Sequence, residues 1–213
     1  MGATQMMTPS TADTAQATAK ARVYSFLAGT VGAPPDAEVV RSVVELAREL
    51  GLACPAEVSL AAVHQDYMDL FVVPGPRYVA PYESVFRDEC PRPPGIEPVS
   101  ALDGGGARVR GLVMGESTER VRQCFIEAGV LPEQDLPDHF ANELRLMAHL
   151  WSQAAHGAAT EPSLVNLRER LRREHLREWV GDLMERIVER EQTGFYGVVA
   201  AVAAAVLQDD VPD

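Results

Sequence analysis

Asp138, His139 and Glu143 stand close enough in the chain to act together: on a helix, His139 and Glu143 share a face one turn apart, with Asp138 at its mouth. That spacing suits two ligands of a metal ion or a hydrogen-bonded pair, and a metal would need a third ligand that no near neighbour supplies. Asp138 is also placed to cap the helix, accepting N–H bonds from its first turn for about 1 kcal/mol. A further carboxylate, Glu83, lies in Pro81-Tyr82-Glu83-Ser84-Val85-Phe86, a proline-flanked string that combines one acid with two aromatic rings. Carboxylates held at a loop and a helix start can accept paired, charge-assisted hydrogen bonds from guanidinium groups, and the rings can add an apolar wall.

Other chemistries find little support. The catalytic strings G-x-S-x-G and H-E-x-x-H are missing, and Gly104-Gly105-Gly106-Ala107-Arg108 lacks the lysine and hydroxyl of a phosphate-binding loop, so it reads as a flexible hinge. Cys54, Cys90 and Cys124 are far apart with no C-x-x-C, which indicates reduced thiols rather than a disulfide framework or zinc knuckle. His175 falls in an apolar stripe and reads as a core histidine. A metal-dependent hydrolase built on His139 and Glu143 is the one enzymatic alternative.

The elements that must position these residues are helical, because apolar residues recur at steps of three and four and no run alternates as a strand does. Ala19, Val23, Phe26, Leu27 and Thr30 line a first helix. Asp36 caps a second that carries Val39, Val43, Leu46 and Leu50 and ends at Gly51. A third bears Leu60, Val63, Tyr67, Leu70 and Phe71 until Pro74-Gly75-Pro76 stops it; Tyr67 and Phe71 suit core or groove equally. Seven prolines between 74 and 98 then forbid regular helix, and a connection so long is a hinge, a binding loop or both. Ser117 caps the next helix, with Val121, Cys124, Phe125 and Ala128, and Asp138 opens another with Phe140, Leu144, Met147, Trp151 and Ala154. A long stretch from Ser163 to Glu191 bends near His175, and its alternating arginines and glutamates mark a solvated face. The last helix, Phe195 to Leu207, is apolar all round, as for an element packed on every side.

The pattern gives an all-α chain with a disordered tail (1–14), an N-terminal helical lobe (15–74), a loop or hinge (75–111) and a C-terminal helical lobe (112–208), closely packed into one domain. At 213 residues and 46% hydrophobic, the chain can bury a core of that size. Nineteen basic against 31 acidic residues leave a net charge of −12, which disfavours nucleic acid and favours a basic partner, or merely keeps the protein soluble. The apolar run Phe195–Leu207 is short of the ~20 residues that span a bilayer, and no secretory leader opens the sequence, so stable membrane insertion is not expected and a cytoplasmic location is.

Four pieces in register resemble the TorD/DmsD family of redox-enzyme maturation chaperones. They are His64-Gln65-Asp66-Tyr67-Met68-Asp69-Leu70-Phe71-Val72-Val73-Pro74-Gly75, the Pro81–Phe86 string, Asp138-His139 with Glu143-Leu144, and His175-Leu176 with Trp179 and the later Phe195-Tyr196. Tyr82 departs from the tryptophan common in relatives, and the segments typical of the cousin nitrate-reductase chaperones are not apparent. The resemblance implies a TorD-like helical bundle that is a binder, not an enzyme. Its partner would be the precursor of a molybdenum oxidoreductase, held by its twin-arginine leader and as apo-enzyme, so that cofactor insertion precedes export. Tyr67, Phe71, Pro81, Tyr82, Glu83, Ser84, Phe86, Asp138, His139 and Glu143 are then the client-binding residues. No cofactor is expected to be bound stoichiometrically, although a transient contact with the client's molybdopterin is. Relatives also imply a monomer or a domain-swapped dimer. A helical scaffold without leader specificity is the non-enzymatic alternative.

Overall fold

The computed structural model describes residues 11–53, 58–91, 108–109, 111–133, 136–158 and 161–209. Helices dominate them: α1 (Thr11–Gly32), α2 (Ala37–Glu49), α3 (Leu60–Tyr67), α4 (Glu83–Arg87), α5 (Glu116–Ala128), α6 (Phe140–Gln153), α7 (Pro162–Arg170), α8 (Arg177–Arg190) and α9 (Phe195–Asp209). The spacing predicts all but α4, a short helix in the proline-rich stretch expected to hold none, which fits between Pro81 and Pro91. A two-residue antiparallel ladder joins β1 (Cys90–Pro91) to β2 (Arg108–Val109). The Gly104–Gly106 hinge lies outside the described residues.

Local chemistry explains most boundaries. Asp36 Oδ1 accepts from the Glu38 and Val39 amides at 2.9 Å each, and Gly51 leaves the end of α2 at φ +66. α3 runs on into a widened π-type turn, Met68–Val72, before Pro74 halts it. A second widened turn, Leu171–Leu176, separates α7 from α8 and contains His175, so the expected bend is a π-type insertion rather than a break. The starts of α1 and α5 differ from expectation. α1 begins at Thr11, inside the stretch expected to be disordered, and α5 begins at Glu116 after Gly115, so Ser117 is a first-turn residue and not its cap. Asp88 takes over there, accepting from the Ser117 amide at 2.7 Å and hydroxyl at 2.6 Å, and a side chain at Gly115 would collide with that carboxylate.

The core is continuous from one half of the chain to the other. α1 lies along α6, so closely that a Cβ on Gly32 would come within 2.7 Å of the Arg145 guanidinium, while α2 leans on α9 and α9 on α8. Tyr24, Phe140, Trp179, Phe195 and Tyr196 are fully buried at its centre. Asp66 ties the end of α3 to the α8–α9 turn: it pairs with Arg77 and accepts from the amides of Gln192 (3.0 Å) and Thr193 (3.2 Å) and the Thr193 hydroxyl (2.9 Å). Among the described residues no helix is long and apolar enough to cross a membrane. α9 is not packed on every side, however: Ala204 and Ala205 are exposed and Ala201 and Val206 only half-buried.

Candidate functional site

The Pro81–Phe86 string and the start of α6 meet, although more than fifty residues separate them. Tyr82 and His139 form an antiparallel bridge, in which the Glu83 amide donates to the Asp138 carbonyl (3.0 Å) and the Phe140 amide to the Pro81 carbonyl (2.8 Å). The Tyr82 and His139 rings stand edge to face at 5.1 Å. Asp138 does not cap α6. Its Oδ2 accepts from the Ser84 amide across the junction at 3.0 Å, and His139 caps the helix instead, its Nδ1 accepting from Ala141 at 3.1 Å.

This geometry corrects the expected role of the carboxylates. Glu83, Ser84, Asp138 and Glu143 are all 0% exposed, so none of them offers an oxygen to an incoming guanidinium. Burying a charge without a partner is costly, and the chain answers with internal partners. Glu83 Oε2 lies 2.8 Å from His175 Nδ1, and its other oxygen pairs with Arg87, which also donates to the Glu174 carbonyl at 2.6 Å. On its far side His175 Nε2 is 3.9 Å from Cys124 Sγ. Burial pulls the imidazole pKa down, but the Cys124 sulfur and the Glu83 carboxylate more than offset it and raise it to about 9, so His175 is charged at neutral pH. Glu143 goes the other way. Burial first, then the charge of Glu83, push its pKa well above the ordinary value against the opposing Trp179 Nε1–H bond at 3.4 Å, which favours its protonated form.

The ten expected residues therefore separate into two groups. Pro81, Tyr82, Glu83, Ser84, Phe86, Asp138, His139 and Glu143 belong to the loop–α6 junction, with Tyr82 and Phe86 half-buried at its edge. Phe86 packs on Trp179 at 5.3 Å beneath the Arg186 guanidinium. Tyr67 and Phe71 lie elsewhere: both are buried in a ring cluster, Tyr67 to Phe71 at 5.6 Å and Phe71 to Tyr196 at 5.3 Å, which decides for core over groove. Among the described residues no set of three or more His, Cys, Asp or Glu is placed to hold a metal. Sequence reasoning missed Arg87, Cys124 and Asp88 as partners of the junction. His175 was legible as a satisfied core histidine, but the buried acid that satisfies it, 92 residues away, was not.

The surface of the bundle also carries clefts. Beside the Glu83–His175 pair is a cleft of about 550 Å³ with Arg87, Arg120, Arg173 and Arg177 in its walls. Elsewhere on the bundle, α1, α2 and α9 line an apolar groove of about 760 Å³.

A family model described as "Nitrate reductase delta subunit" matches residues 33–185, from the approach to α2 to well inside α8. Among curated proteins, the chain is 28% identical over 196 residues to "Chaperone protein TorD" of Vibrio cholerae serotype O1 (strain O395), covering 89% of this chain and 78% of that protein. It is 25% identical over 156 residues to "Chaperone protein TorD" of Shewanella pealeana, covering 71% and 60%. With more than half its length inside the family model and relatives named as chaperones, the chain belongs to the nitrate reductase delta subunit and TorD family, as a redox-enzyme maturation chaperone and not an enzyme.

Proposed function

We propose that this chain holds the precursor of a molybdenum-containing oxidoreductase in the cytoplasm, binding its twin-arginine leader and a part of the apo-enzyme until the cofactor is in place. The observation that carries this reading is the coincidence of the family-resembling strings at one rigid junction: Pro81–Phe86 and Asp138–Glu143 are locked by backbone and carboxylate bonds, and the half-buried Tyr82 and Phe86 are left at its rim. Rigid rings lose little entropy on contact, so a preorganised edge of this kind suits an apolar segment of a client. The buried Glu83, Asp138 and Glu143 shape the edge without touching the client. The arginine-lined cleft, which Arg87 shares with the junction, supplies cations for the phosphate of the client's molybdopterin during a transient contact. A net charge of −12 favours the cationic leader.

Isothermal titration with twin-arginine leader peptides from oxidoreductase precursors tests the proposal. Binding should weaken when the two arginines become Lys-Lys or Ala-Ala, and should fall as salt rises, because exposed charges are screened over ~8 Å at physiological ionic strength. Indifference to the arginine pair would overturn leader recognition and leave a scaffold without leader specificity.

A further inference from the structure

The groove between α1, α2 and α9 has no counterpart in the family-resembling strings. Its floor is α9, where Ala201 and Ala205 stand one turn apart and leave a depression that larger side chains would fill. Val23 and Phe26 of α1, Leu46 of α2 and Val206 of α9 wall it, and Leu50 at its end is 58% exposed. A helix apolar on every face but open along one of them lacks a partner.

The rim says what the partner is. Glu45 and Glu49 lie one turn apart on the α2 edge, both exposed, and neither makes an ion pair among the described residues. Four residues of helix place their carboxylates about 6 Å apart along the axis, a separation that two adjacent cationic side chains can bridge. Arg22 is the single cation of the lining. An apolar trough with an unpaired acidic pair at its lip matches a peptide with two neighbouring arginines followed by an apolar helix, bound in the helix-in-groove manner.

We infer that the α1–α2–α9 groove is the docking site for the leader's apolar segment, with Glu45 and Glu49 receiving its paired arginines. This rests on the leader reading given above and moves the leader away from the Tyr82 junction, which is left to the rest of the client.

The probe is a fluorescein-labelled peptide with two arginines followed by about a dozen leucines and alanines, three turns of helix, with an Ala-Ala version as control, followed by anisotropy on the full chain. Ala205→Trp fills the trough from an exposed position and should weaken binding about tenfold or more. Glu45→Lys with Glu49→Lys, at exposed and unpaired sites, should weaken the arginine peptide several-fold and erase its advantage over the Ala-Ala peptide. Ile126→Ala, an exposed apolar residue of α5 outside the groove, should leave peptide affinity unchanged. If the wild type binds neither peptide, the leader reading itself fails. If the wild type binds and both groove variants bind equally well, the groove assignment fails alone. Sedimentation supplies the third outcome: a wild-type dimer that Ala205→Trp dissociates would give the groove to a second copy and overturn the proposal. Should Ala205→Trp melt early, the double charge reversal decides.

Discussion

Replacing Glu83 by glutamine keeps the shape of the side chain and removes its charge, which isolates what the buried Glu83–His175 contact contributes. His175 is 3% exposed, so solvent screens the pair little. Its pKa of about 9 in the folded protein, against an ordinary 6.5, corresponds to roughly 3 kcal/mol at 1.36 kcal/mol per tenfold change in proton affinity. A histidine that holds its proton more tightly when folded stabilises the fold fully below pH 6.5, and that stabilisation drains away as pH climbs through about 9. In Glu83→Gln the imidazolium loses its counter-charge while burial still disfavours it and only the Cys124 contact still holds its proton, so up to roughly 3 kcal/mol should be missing at pH 6 to 7. For a chain of this size the upper bound is a fall of about 6–12 °C in melting temperature. The assay is urea denaturation of both proteins from pH 6 to 10. Their stabilities should differ most at the acid end, and above pH 9 the difference should shrink to what the Glu83–Arg87 pair contributes. A difference that stays constant with pH would refute the reasoning, because Glu83 would then act through Arg87 alone.

Glu143 should respond in the opposite way. Because burial and the neighbouring Glu83 favour its protonated form, Glu143→Gln mimics that form, and stability at pH 7 to 8 should be unchanged or higher by about 1 kcal/mol in chemical denaturation; a loss beyond about 2 kcal/mol would mean the carboxylate is ionised in place. Asp66→Ala should cost about 1–3 kcal/mol, since it leaves the Gln192 amide and the Thr193 hydroxyl without their acceptor at the α8–α9 turn, while Arg77 keeps Asp69 and the Arg190 carbonyl. Thermal melting measures it, and a cost under 1 kcal/mol would show that the turn holds itself.

Helices and their ends were legible wherever a local rule acts alone. Asp36 and Gly51 mark α2 by side-chain chemistry and backbone sign that need no tertiary partner. Ser117 and Asp138 look like caps by the same rule, and both lost to distant partners: Asp88 reaches Ser117 from 29 residues away, and the Ser84 amide takes Asp138 from 54. Spacing also found the Pro81–Phe86 and Asp138–Glu143 strings, and the fold does join them. What it could not tell was which way their charges face, because a carboxylate reads the same whether its partner is a client's arginine or a buried histidine 92 residues on.

The same blindness runs the other way at α9. Phe195 to Leu207 has the composition of a fully enclosed helix, and its first half is one, with Phe195, Tyr196, Val198 and Val199 sealed against the rest of the bundle. The second half trades bulky side chains for alanines at 203, 204 and 205, and only Ala203 is buried. Alanine adds almost no apolar area when it is covered, so leaving Ala204 and Ala205 in water costs the free protein little. A larger side chain there would cost more exposed and would leave less room for a partner. A chaperone needs a surface that tolerates water when empty and rewards an apolar helix when full, and small residues between half-buried Phe26, Leu46 and Val206 meet both demands. The buried carboxylates of the junction serve rigidity instead, so in this chain the residues that look most like a binding site hold the fold in shape, while the stretch that looks most like core provides the open face.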